Sequence, residues 1–386
     1  MPLFFSILKI AVNTRLLLKG KLEGIGWFSH ETLQRLVEKH PDWEFHFFFD
    51  RKPDKAFIYG DNVQAHIVKP QARHPFLYYL WFQFSVKKRL KQLKPDVFLS
   101  PDGFSVLNAP CPTIPVIHDL NFETHPEILP TLTSKYYRYF FPKFAKHACR
   151  IATVSQYSKK DIQEKYGISA SKIDVVYNGV NPLFSPISDE RKTQVKERYC
   201  RGKEFAVYVG ALNPRKNLSR LLRAFDQYIS ESSSQLRLLI VGDKMHWTAD
   251  MEKAYQSLEN PNNITFTGRL SNNELSLVLG AAKFLAYPSL FEGFGVPIIE
   301  AMSANVPVLT SHTSCMPEIS GEAAYLIDPF SEAEIKDAIA DLDTNEKLRN
   351  ELITKGKENA AQFSWDLTTQ KLENSILNCI AKNGST

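Results

Sequence analysis

The chain has 386 residues, of which 44% are hydrophobic and 23% are charged, and its net charge at pH 7 is +5. A chain of this length and ordinary composition predicts two globular domains, and no uncharged run reaches the roughly 18 residues that a transmembrane helix needs. Its five cysteines are far apart and show no C-x-x-C spacing, which excludes a zinc-binding cysteine cluster and predicts reduced thiols of a cytosolic protein.

The positive charge is concentrated in the first half of the chain. Residues 1–180 carry 25 basic and 16 acidic side chains, a difference of +9, whereas residues 181–386 carry 22 and 26, a difference of −4. The basic half therefore suits an anionic partner such as a phospholipid surface or a phosphate-bearing acceptor. Lysines on a solvated surface explain the same excess equally well.

Short apolar segments alternate with helical patterns along the first half, which predicts a doubly wound parallel sheet. The predicted strands are 7–12, 43–49, 97–100, 113–118, 151–155 and 173–176, and the predicted helices are 29–39, 76–93, 132–147 and 156–166. The apolar N-terminus, residues 1–12, is interpreted as a first buried strand. Lys9 interrupts it and no small-residue cleavage site follows, so the pattern does not favour a signal peptide.

Two motifs of the first half point to a ligand. Gly24 and Gly26 form a turn that follows the first strand and opens a helix, where the absence of side chains lets the backbone approach a bound group. His118 and Asp119 stand at the carboxyl end of a predicted strand. A lone histidine is more often structural, so the position of His118 does not by itself assign a role.

The segment from Phe76 to Lys94 is aromatic at its start and basic at its end. One interpretation is a membrane-surface helix that finds a lipid-linked acceptor. The other is a core helix whose last turn carries the cations that suit its dipole. The second is favoured because a predicted strand, 97–100, follows at once.

The second half repeats the alternation after a charged, proline-containing boundary near residues 182–203. Its predicted strands are 205–209, 236–241, 264–266, 284–287, 306–309 and 324–327, and its predicted helices are 217–231, 271–280, 297–303 and 332–341. Residues 365–381 predict one amphipathic C-terminal helix. The pattern therefore predicts two Rossmann-like halves of similar size.

Arg215 and Lys216 follow a predicted strand that ends at Gly210, and Asn217 is placed to cap the next helix. Open parallel sheets bind ligands at the carboxyl ends of their strands. Two cations at that position would offset the charge of a diphosphate. Two solvated loop charges are the alternative, and the spacing alone does not decide between them.

The most informative stretch is Phe291–Glu300, which places Glu292 and Glu300 around a glycine-rich turn. Gly293 and Gly295 allow φ > 0 and close backbone approach, and Pro297 is suited to the first turn of a helix. The N–H groups of such a helix start suit a phosphate. The pattern favours a ligand with both phosphates and sugar hydroxyls over a helix cap and a solvated helix residue.

Together these motifs resemble family 4 of the retaining glycosyltransferases. Phe291–Glu300 resembles the E-x7-E motif of that family, Phe205–Asn217 its G-x-L-x-x-R-K-N segment, and Glu23–Phe28 its GIG turn. The resemblance implies an α/β fold of the GT-B type, with two Rossmann-like, doubly wound parallel-sheet domains facing a cleft. Residues 1–185 would form the acceptor-side domain and 203–365 the nucleotide-sugar-binding domain, with a helix over 366–386 returning to the first.

The resemblance also implies residue roles. Glu292 would contact the donor hexose, Glu300 the ribose, His118 the donor sugar, and Arg215 with Lys216 the pyrophosphate. The remaining donor-binding residues would be Gly24, Gly26, Gly210, Arg269, Leu270, Gly293, Phe294, Gly295 and Val296. Some members carry a further arginine where this chain has Ala211, so the charge would have to come from Arg215 and Lys216 alone.

The implied activity is retaining transfer of a hexosyl group from a nucleoside diphosphate hexose to a saccharide or lipid-linked acceptor. Mannose or glucose is favoured, in surface polysaccharide or glycolipid synthesis. A nucleotide-sugar epimerase of the same fold and a catalytically silent sugar-nucleotide-binding subunit are the alternatives. The Glu292/Glu300 spacing disfavours the epimerase, and the intact set of Glu292, Glu300, Arg215, Lys216 and His118 disfavours the silent subunit.

No metal, cofactor or nucleic acid is expected. The chain has one D-x-D sequence, Asp341-Leu-Asp343, but it ends a late predicted helix and is interpreted as a solvated helix end. The nucleoside diphosphate sugar would be a co-substrate. The predicted location is cytoplasmic, with peripheral contact at the inner membrane surface through the basic N-terminal domain as a further expectation.

Overall fold

A computed structural model describes residues 7–384. The chain divides into two compact units, the first formed by the residues up to Gly179 together with those from Trp365 onward, and the second by Val180–Ser364. The boundary falls earlier than the predicted stretch near 182–203, because most of that stretch forms a helix of the second unit. Residues 1–6 of the predicted first strand and 385–386 of the predicted last helix lie outside the described residues.

The first unit is built around a parallel sheet with the strand order β3-β2-β1-β4-β5-β6-β7. Its strands are β1 (Lys9–Asn13), β2 (Glu44–Phe49), β3 (Val63–Ile67), β4 (Val97–Ser100), β5 (Thr113–Ile117), β6 (Ile151–Thr153) and β7 (Ile173–Val175). All except β3 were predicted from the sequence. Strand β3 escaped prediction because it is an edge strand whose middle residues, Gln64 and Ala65, are exposed.

Six helices of the first unit connect these strands. They are α1 (Gly24–Lys39), α2 (Pro75–Leu80), α3 (Lys87–Leu93), α4 (Asn121–Thr124), α5 (Thr131–His147) and α6 (Gln156–Tyr166). A π-helical turn, Trp81–Val86, joins α2 to α3, so residues 75–93 form one helical segment. This segment packs Trp81, Phe82 and Val86 into the core, as the favoured interpretation predicts, but it also leaves Phe76 63% and Phe84 58% exposed.

The second unit contains a parallel sheet with the strand order β10-β9-β8-β11-β12-β13. Its strands are β8 (Phe205–Val209), β9 (Arg237–Val241), β10 (Ile264–Gly268), β11 (Phe284–Tyr287), β12 (Val308–Ser311) and β13 (Ala324–Ile327). Each was predicted to within two residues at its ends. Strands such as β8 and β11 are buried throughout, as expected where helices cover both faces of a parallel sheet.

The helices of the second unit are α7 (Asp189–Cys200), α8 (Leu218–Glu231), α9 (Ala249–Gln256), α10 (Asn272–Ala281), α11 (Val296–Ser303), α12 (Met316–Ser320), α13 (Glu332–Thr344) and α14 (Glu346–Ala360). Helices α7, α9, α12 and α14 were not predicted from the sequence. Helices α7 and α14 are mostly charged and bury only two and three residues respectively. They therefore lack the apolar stripe on which a pattern-based prediction depends.

The C-terminal helix α15 (Trp365–Gly384) belongs to the first unit. It packs against α1, where Arg35 Nε lies 2.9 Å from Asp366 Oδ1. Cys379 of this helix is paired in a disulfide with Cys149. The expectation that all five cysteines are reduced thiols is therefore wrong for these two, because the sequence separation of 230 residues concealed their proximity.

The interpretation of Asp341-Leu-Asp343 as a solvated helix end is also wrong for its second carboxylate. Asp343 lies 2.5 Å from Lys283 Nζ and accepts hydrogen bonds from the hydroxyls of Tyr228 and Ser234. Its donors are protein side chains, so Asp343 ties α13 to the rest of the second unit. Within residues 7–384, no helix combines the length and the apolar character needed to cross a bilayer.

Candidate active site

The strand order of the second unit places its topological switch point between β8 and β11, from which the sheet continues in opposite directions. Ligands of open parallel sheets bind outside the carboxyl ends of the strands at such a point. The turn that carries Arg215 and Lys216 follows β8, and the loop that carries Glu292 follows β11. Residues that are about 76 positions apart in the sequence therefore meet at one place.

The Glu292 carboxylate is bound by three side chains. Its Oε2 lies 2.6 Å from Arg215 Nη1, and its Oε1 lies 2.7 Å from Lys216 Nζ. The Ser289 hydroxyl donates to Oε1 over 2.6 Å. Burial would by itself raise the pKa of Glu292, but Arg215 and Lys216 outweigh burial and bring that pKa down to about 2. Glu292 is therefore a carboxylate at every physiological pH.

Lys216 is only 8% exposed. Its ammonium group donates to the Tyr287 hydroxyl and lies 4.5 Å from the centroid of the Tyr287 ring. Burial lowers the pKa of Lys216, and Glu292 opposes that effect. A Cβ atom on Gly210 would lie 3.3 Å from Lys216 Cε. The glycine at the end of β8 therefore leaves room for the lysine side chain.

Asn217 does not cap helix α8 with its side chain, contrary to the sequence-based prediction. Its Nδ2 group instead donates to the carbonyl oxygens of Pro288, over 3.0 Å, and Pro329, over 2.6 Å. Its backbone adopts the left-handed conformation with φ of 59°. Asn217 therefore ties the turn bearing the two cations to the loops that follow β11 and β13.

The glycine turn after β11 leads directly into helix α11. Phe291 and Phe294 are each 4% exposed and anchor the turn, and Gly295 takes a φ of +85°, which favours glycine. The helix begins at Val296 with Pro297 next, and no side chain caps its start. Such a helix start has backbone donors and a positive dipole end, both of which suit an anion.

Glu300 lies in the second turn of α11 and is partly buried. Within residues 7–384, its side chain makes no hydrogen bond or ion pair. Burial raises the pKa of Glu300 to about 8. A carboxyl group in this position can accept hydrogen bonds from hydroxyl groups of a ligand, because the protein leaves its oxygen atoms available.

Replacing Glu300 with glutamine is expected to change how stability depends on pH. The folded pKa of Glu300 lies above the unfolded value, so its contribution favours folding at low pH and is lost as the pH rises toward about 8. The ligand-free Glu300→Gln variant should therefore gain on the order of 2–4 °C in melting temperature over wild type at pH 9. The two proteins should converge near pH 5, and thermal unfolding at both pH values measures this.

Two of the predicted donor-binding residues, Arg269 and Leu270, lie beside the outermost strand of the same sheet. Arg269 and Leu270 follow β10, which is separated from β11 by β9 and β8, a distance of about 14 Å at the usual strand spacing. Arg269 is exposed and Leu270 is partly buried. The carbonyl of Gly268 accepts a hydrogen bond from the Gly242 N–H over 3.1 Å. The structure therefore places Arg269, Leu270 and Glu292 at the carboxyl ends of strands in one sheet, but Arg269 and Leu270 do not contact Glu292.

In the first unit, His118 stands at the carboxyl end of β5, as predicted. Its Nε2 lies 2.8 Å from the Pro101 carbonyl oxygen, and its ring meets the Phe28 ring edge-on at 5.1 Å. Burial lowers the pKa of His118, so its imidazole is neutral at pH 7. The ring therefore offers one donor and one acceptor nitrogen.

The motif that contains Gly24 and Gly26 opens a helix, as predicted, although the helix starts earlier than the predicted Ser29. Helix α1 begins at Gly24 itself, so both glycines lie in its first turn. A Cβ atom on Gly26 would lie 3.1 Å from Leu22 Cδ2 and 3.3 Å from the Leu16 carbonyl oxygen. A side chain on Gly26 would therefore press on Leu22 and on the backbone at Leu16 within the first unit.

Three polar contacts at the Glu292 loop were not found from the sequence. They involve the hydroxyls of Tyr287 and Ser289, described above, and that of Ser314, which accepts from the Glu292 N–H over 3.0 Å. Ser289 directly follows the strand exit, which was the one available signal. Among the described residues, no cluster of three or more His, Cys, Asp or Glu side chains forms a candidate metal site.

Comparison with known families accounts for most of the chain. The family described as "Glycosyltransferase Family 4" matches residues 22–183, and the family described as "Glycosyl transferases group 1" matches residues 189–359. The two matches follow one another and correspond closely to the two structural units.

Similar proteins include transferases of surface polysaccharides. The O-antigen chain mannosyltransferase B of Escherichia coli is 27% identical over 370 residues, covering 92% of this chain and 96% of that protein. The O-antigen chain mannosyltransferase RfbU of Salmonella typhimurium is 28% identical over 258 residues and covers 67% of each chain.

The fold recurs in solved structures at low sequence identity. The structure of Anabaena HepE in complex with UDP and glucose is 17% identical, with a TM-score of 0.75, and the match covers 96% of this chain and 99% of that one. Sucrose-phosphate synthase from Thermosynechococcus elongatus gives a TM-score of 0.76 at 17% identity, covering 95% and 98% of the two chains. These likenesses show the GT-B fold, with its two Rossmann-like parallel-sheet domains.

Proposed function

Because the chain belongs to family 4 of the glycosyltransferases and is a hexosyltransferase, we propose that it transfers a mannosyl group from a nucleoside diphosphate sugar, with retention of anomeric configuration. The acceptor would be a saccharide or a lipid-linked saccharide in surface polysaccharide synthesis. The mannosyltransferase names of two relatives support the choice of sugar. Transfer of glucose is the second candidate.

One observation carries the proposal more than any other. Arg215 and Lys216 meet Glu292 beside a helix start that no side chain caps. Two cations and a helix N-terminus supply positive charge for a diphosphate, and Glu292 supplies an acceptor for sugar hydroxyls. Well-packed apolar side chains of similar volume would often stabilise the second unit as well as this buried charged cluster does, so the cluster favours a ligand-binding role.

Transfer with retention does not require a protein nucleophile in this arrangement. As the bond between the hexose and the diphosphate breaks, negative charge develops on the departing diphosphate. That group can accept the proton of the attacking hydroxyl on the same face of the sugar. Arg215, Lys216 and the start of α11 would stabilise the developing charge, and preorganised stabilisation of this kind is often the largest catalytic contribution.

Glu300 is proposed to bind the ribose hydroxyls of the donor. A carboxylate accepts such hydrogen bonds better than a carboxylic acid does, so binding would draw its pKa down from about 8. Donor binding should therefore release a proton near neutral pH and strengthen as the pH rises toward 8. Arg269 and Leu270 are proposed to contact the base through their backbone, and His118 to bind the donor sugar.

We propose that no metal ion takes part in the transfer. The charge that a divalent cation would neutralise is met by Arg215 and Lys216, both directed toward the Glu292 loop. Titration of the activity with a chelator tests this proposal. Loss of transfer on chelation, and its return on addition of Mg²⁺ or Mn²⁺, would overturn it.

Contact with the cytoplasmic surface of the inner membrane is proposed for the first unit. The helical segment 75–93 and helix α5 together carry eight Lys or Arg residues and no Asp or Glu. Exposed apolar and aromatic side chains accompany them: Phe76, Tyr79, Phe84, Leu132 and Tyr139. Tyr79 lies 5.7 Å from the Phe84 ring, measured between centroids, and 5.8 Å from the Phe140 ring. Aromatic side chains and lysines in one patch suit an anionic phospholipid surface.

Sedimentation with vesicles tests the membrane contact. Wild type should bind vesicles that contain anionic phospholipid and should bind neutral vesicles much less. The double variant Phe76→Ser/Phe84→Ser should lose most of that binding, whereas Leu326→Ser/Phe330→Ser, an exposed apolar pair in the second unit, serves as a matched control. Equal binding by both double variants and wild type would contradict the proposal.

The activity itself is tested with purified protein and a panel of nucleoside diphosphate hexoses. Release of nucleoside diphosphate that depends on an added saccharide acceptor, with the α-linked donor giving an α-linked product, is the expected result. Conversion of the donor sugar without any acceptor would instead favour the epimerase alternative. Donor binding without any turnover over a broad acceptor panel would favour the silent-subunit alternative.

A further inference from the structure

Asp102 lies at the switch point of the first unit, between the carboxyl ends of β1 and β4. Its Oδ2 lies 2.6 Å from Arg15 Nε. Its Oδ1 accepts from Asn13 Nδ2 over 2.8 Å, from the Ser100 hydroxyl over 3.2 Å and from the Phe104 N–H over 3.2 Å. The carboxylate, which is 4% exposed, thus receives four donors from two strand ends and the turn that follows β4.

These contacts fix the turn in which the neighbouring residue, Pro101, presents its carbonyl oxygen. Gly103, on the other side of Asp102, takes a φ of +81°, and a Cβ atom there would lie 2.9 Å from Phe141 Cε1. The turn is therefore held from within by Asp102 and from outside by the core. Its geometry has little room to change while these contacts persist.

The Pro101 carbonyl determines the tautomer of His118. A carbonyl oxygen only accepts hydrogen bonds, so the His118 nitrogen 2.8 Å away, Nε2, must carry the proton. In the neutral ring Nδ1 is then an acceptor. Among the residues that the structure describes, none donates to this Nδ1 atom, and His118 is partly exposed.

We propose that Asp102 is a positioning residue that acts through the Pro101 carbonyl to hold His118 as the Nε2–H tautomer, with Nδ1 available to accept a hydrogen bond from a hydroxyl of the transferred hexose. The hydrogen bond from the hexose to His118 Nδ1 depends on the proposed function. The tautomer of His118, and its dependence on Asp102, are properties of the protein alone. The Asp102 carboxylate is 4% exposed and is occupied by its four donors, so its proposed role is to position His118 and not to bind the substrate.

Nitrogen NMR of the ¹⁵N-histidine-labelled protein tests the tautomer of His118, and its dependence on Asp102, without any substrate. The His118 resonances are assigned by their absence from a His118→Gln variant. Wild type should show a protonated Nε2 and a deshielded, unprotonated Nδ1, and Asp102→Asn should show a mixture of tautomers. A protonated Nδ1 in wild type, or an unchanged tautomer in Asp102→Asn, would overturn the proposal whatever the reaction proves to be.

Kinetics test whether His118, positioned in this way, supports hexosyl transfer. An amide at position 102 replaces one carboxylate oxygen by a donor that faces other donors, so the turn should shift. Hexosyl transfer by Asp102→Asn should fall about 10- to 100-fold in kcat, with the affinity for the free nucleoside diphosphate unchanged. An equal loss of nucleotide affinity, or an unchanged kcat, would overturn it.

Two further variants keep the test decisive. Asp174→Asn removes another ion-paired carboxylate of the first unit, which binds Arg150 and accepts from the Ser375 hydroxyl over 2.8 Å. It should cost stability but leave the His118 tautomer and kcat unaltered. Ser100→Ala deletes one donor to Asp102 and should change the tautomer and kcat in the same direction but by less. It replaces Asp102→Asn in the test if that variant does not fold.

Discussion

Replacing Lys216 with alanine is expected to lower the rate of hexosyl transfer by about 10²- to 10³-fold. The ammonium group of Lys216 is buried beside Glu292 and Tyr287, where its charge is poorly screened by water. A donor that stabilises developing charge in such a site contributes about 3–4 kcal/mol to the transition state. Steady-state kinetics on the purified variant, with the donor varied at saturating acceptor, measures the loss.

The loss must be separated from simple destabilisation, because removal of one partner from a buried ion pair costs about 3–5 kcal/mol. Lys283→Ala provides the matched control. Lys283 also belongs to the second unit and pairs with a largely buried carboxylate, Asp343, over 2.5 Å, but it precedes β11 and so lies at the opposite end of the strand from Glu292. Lys283→Ala should lose comparable stability and keep its kcat; equal rates for Lys216→Ala and wild type would remove Lys216 from the mechanism.

Replacing Glu292 with glutamine is expected to separate nucleotide binding from transfer. The variant loses the carboxylate proposed to orient the hexose, so kcat should fall by about 10²-fold or more. It also leaves Arg215 and Lys216 without their common counter-ion. The affinity for free nucleoside diphosphate should therefore rise, by about tenfold if roughly 1.4 kcal/mol of attraction is gained. Isothermal titration with nucleoside diphosphates measures this second effect.

The stability of the Glu292→Gln variant gives an independent check. The folded pKa of Glu292, about 2, lies below the unfolded value, so its stabilising contribution is present above pH 4.5 and is lost only as the pH falls toward 2. The variant should therefore be less stable than wild type at neutral pH, and inorganic pyrophosphate should restore more stability to it than to wild type. Weaker nucleotide binding together with unaltered transfer would contradict both assigned roles.

The fold was largely predictable because burial of the strands left a clear pattern in the sequence. Strands such as β8 and β11 are apolar throughout, and each is followed by a Gly- or Pro-containing turn. Strand β3 and helices α7 and α14 were missed because they lie at an edge or on a surface and bury few side chains. The pairing of Cys149 with Cys379 could not be predicted, since proximity across 230 residues depends on how α15 packs.

The residue types of the candidate site were predictable, but their contacts were not. Spacing and resemblance identified Arg215, Lys216 and Glu292, yet nothing in the sequence indicates that one carboxylate binds both cations. Asn217 shows the same limit. A capping role is the local expectation for asparagine before a helix. Its side chain instead donates hydrogen bonds to carbonyl groups of two loops that are distant in the sequence.

The central claim is that the second unit binds a nucleoside diphosphate sugar through the cations beside Glu292. The most direct test is the thermal unfolding of wild type and Lys216→Ala with a panel of nucleoside diphosphates and their hexose conjugates, with chelator and without added metal. A ligand that binds only the folded state raises the melting temperature, and a ligand at 100 times its Kd adds about 2.7 kcal/mol. Selective stabilisation of wild type by one nucleotide, lost in Lys216→Ala, is the predicted result. No response of wild type to any nucleotide, or an equal response of the two proteins, would contradict the claim.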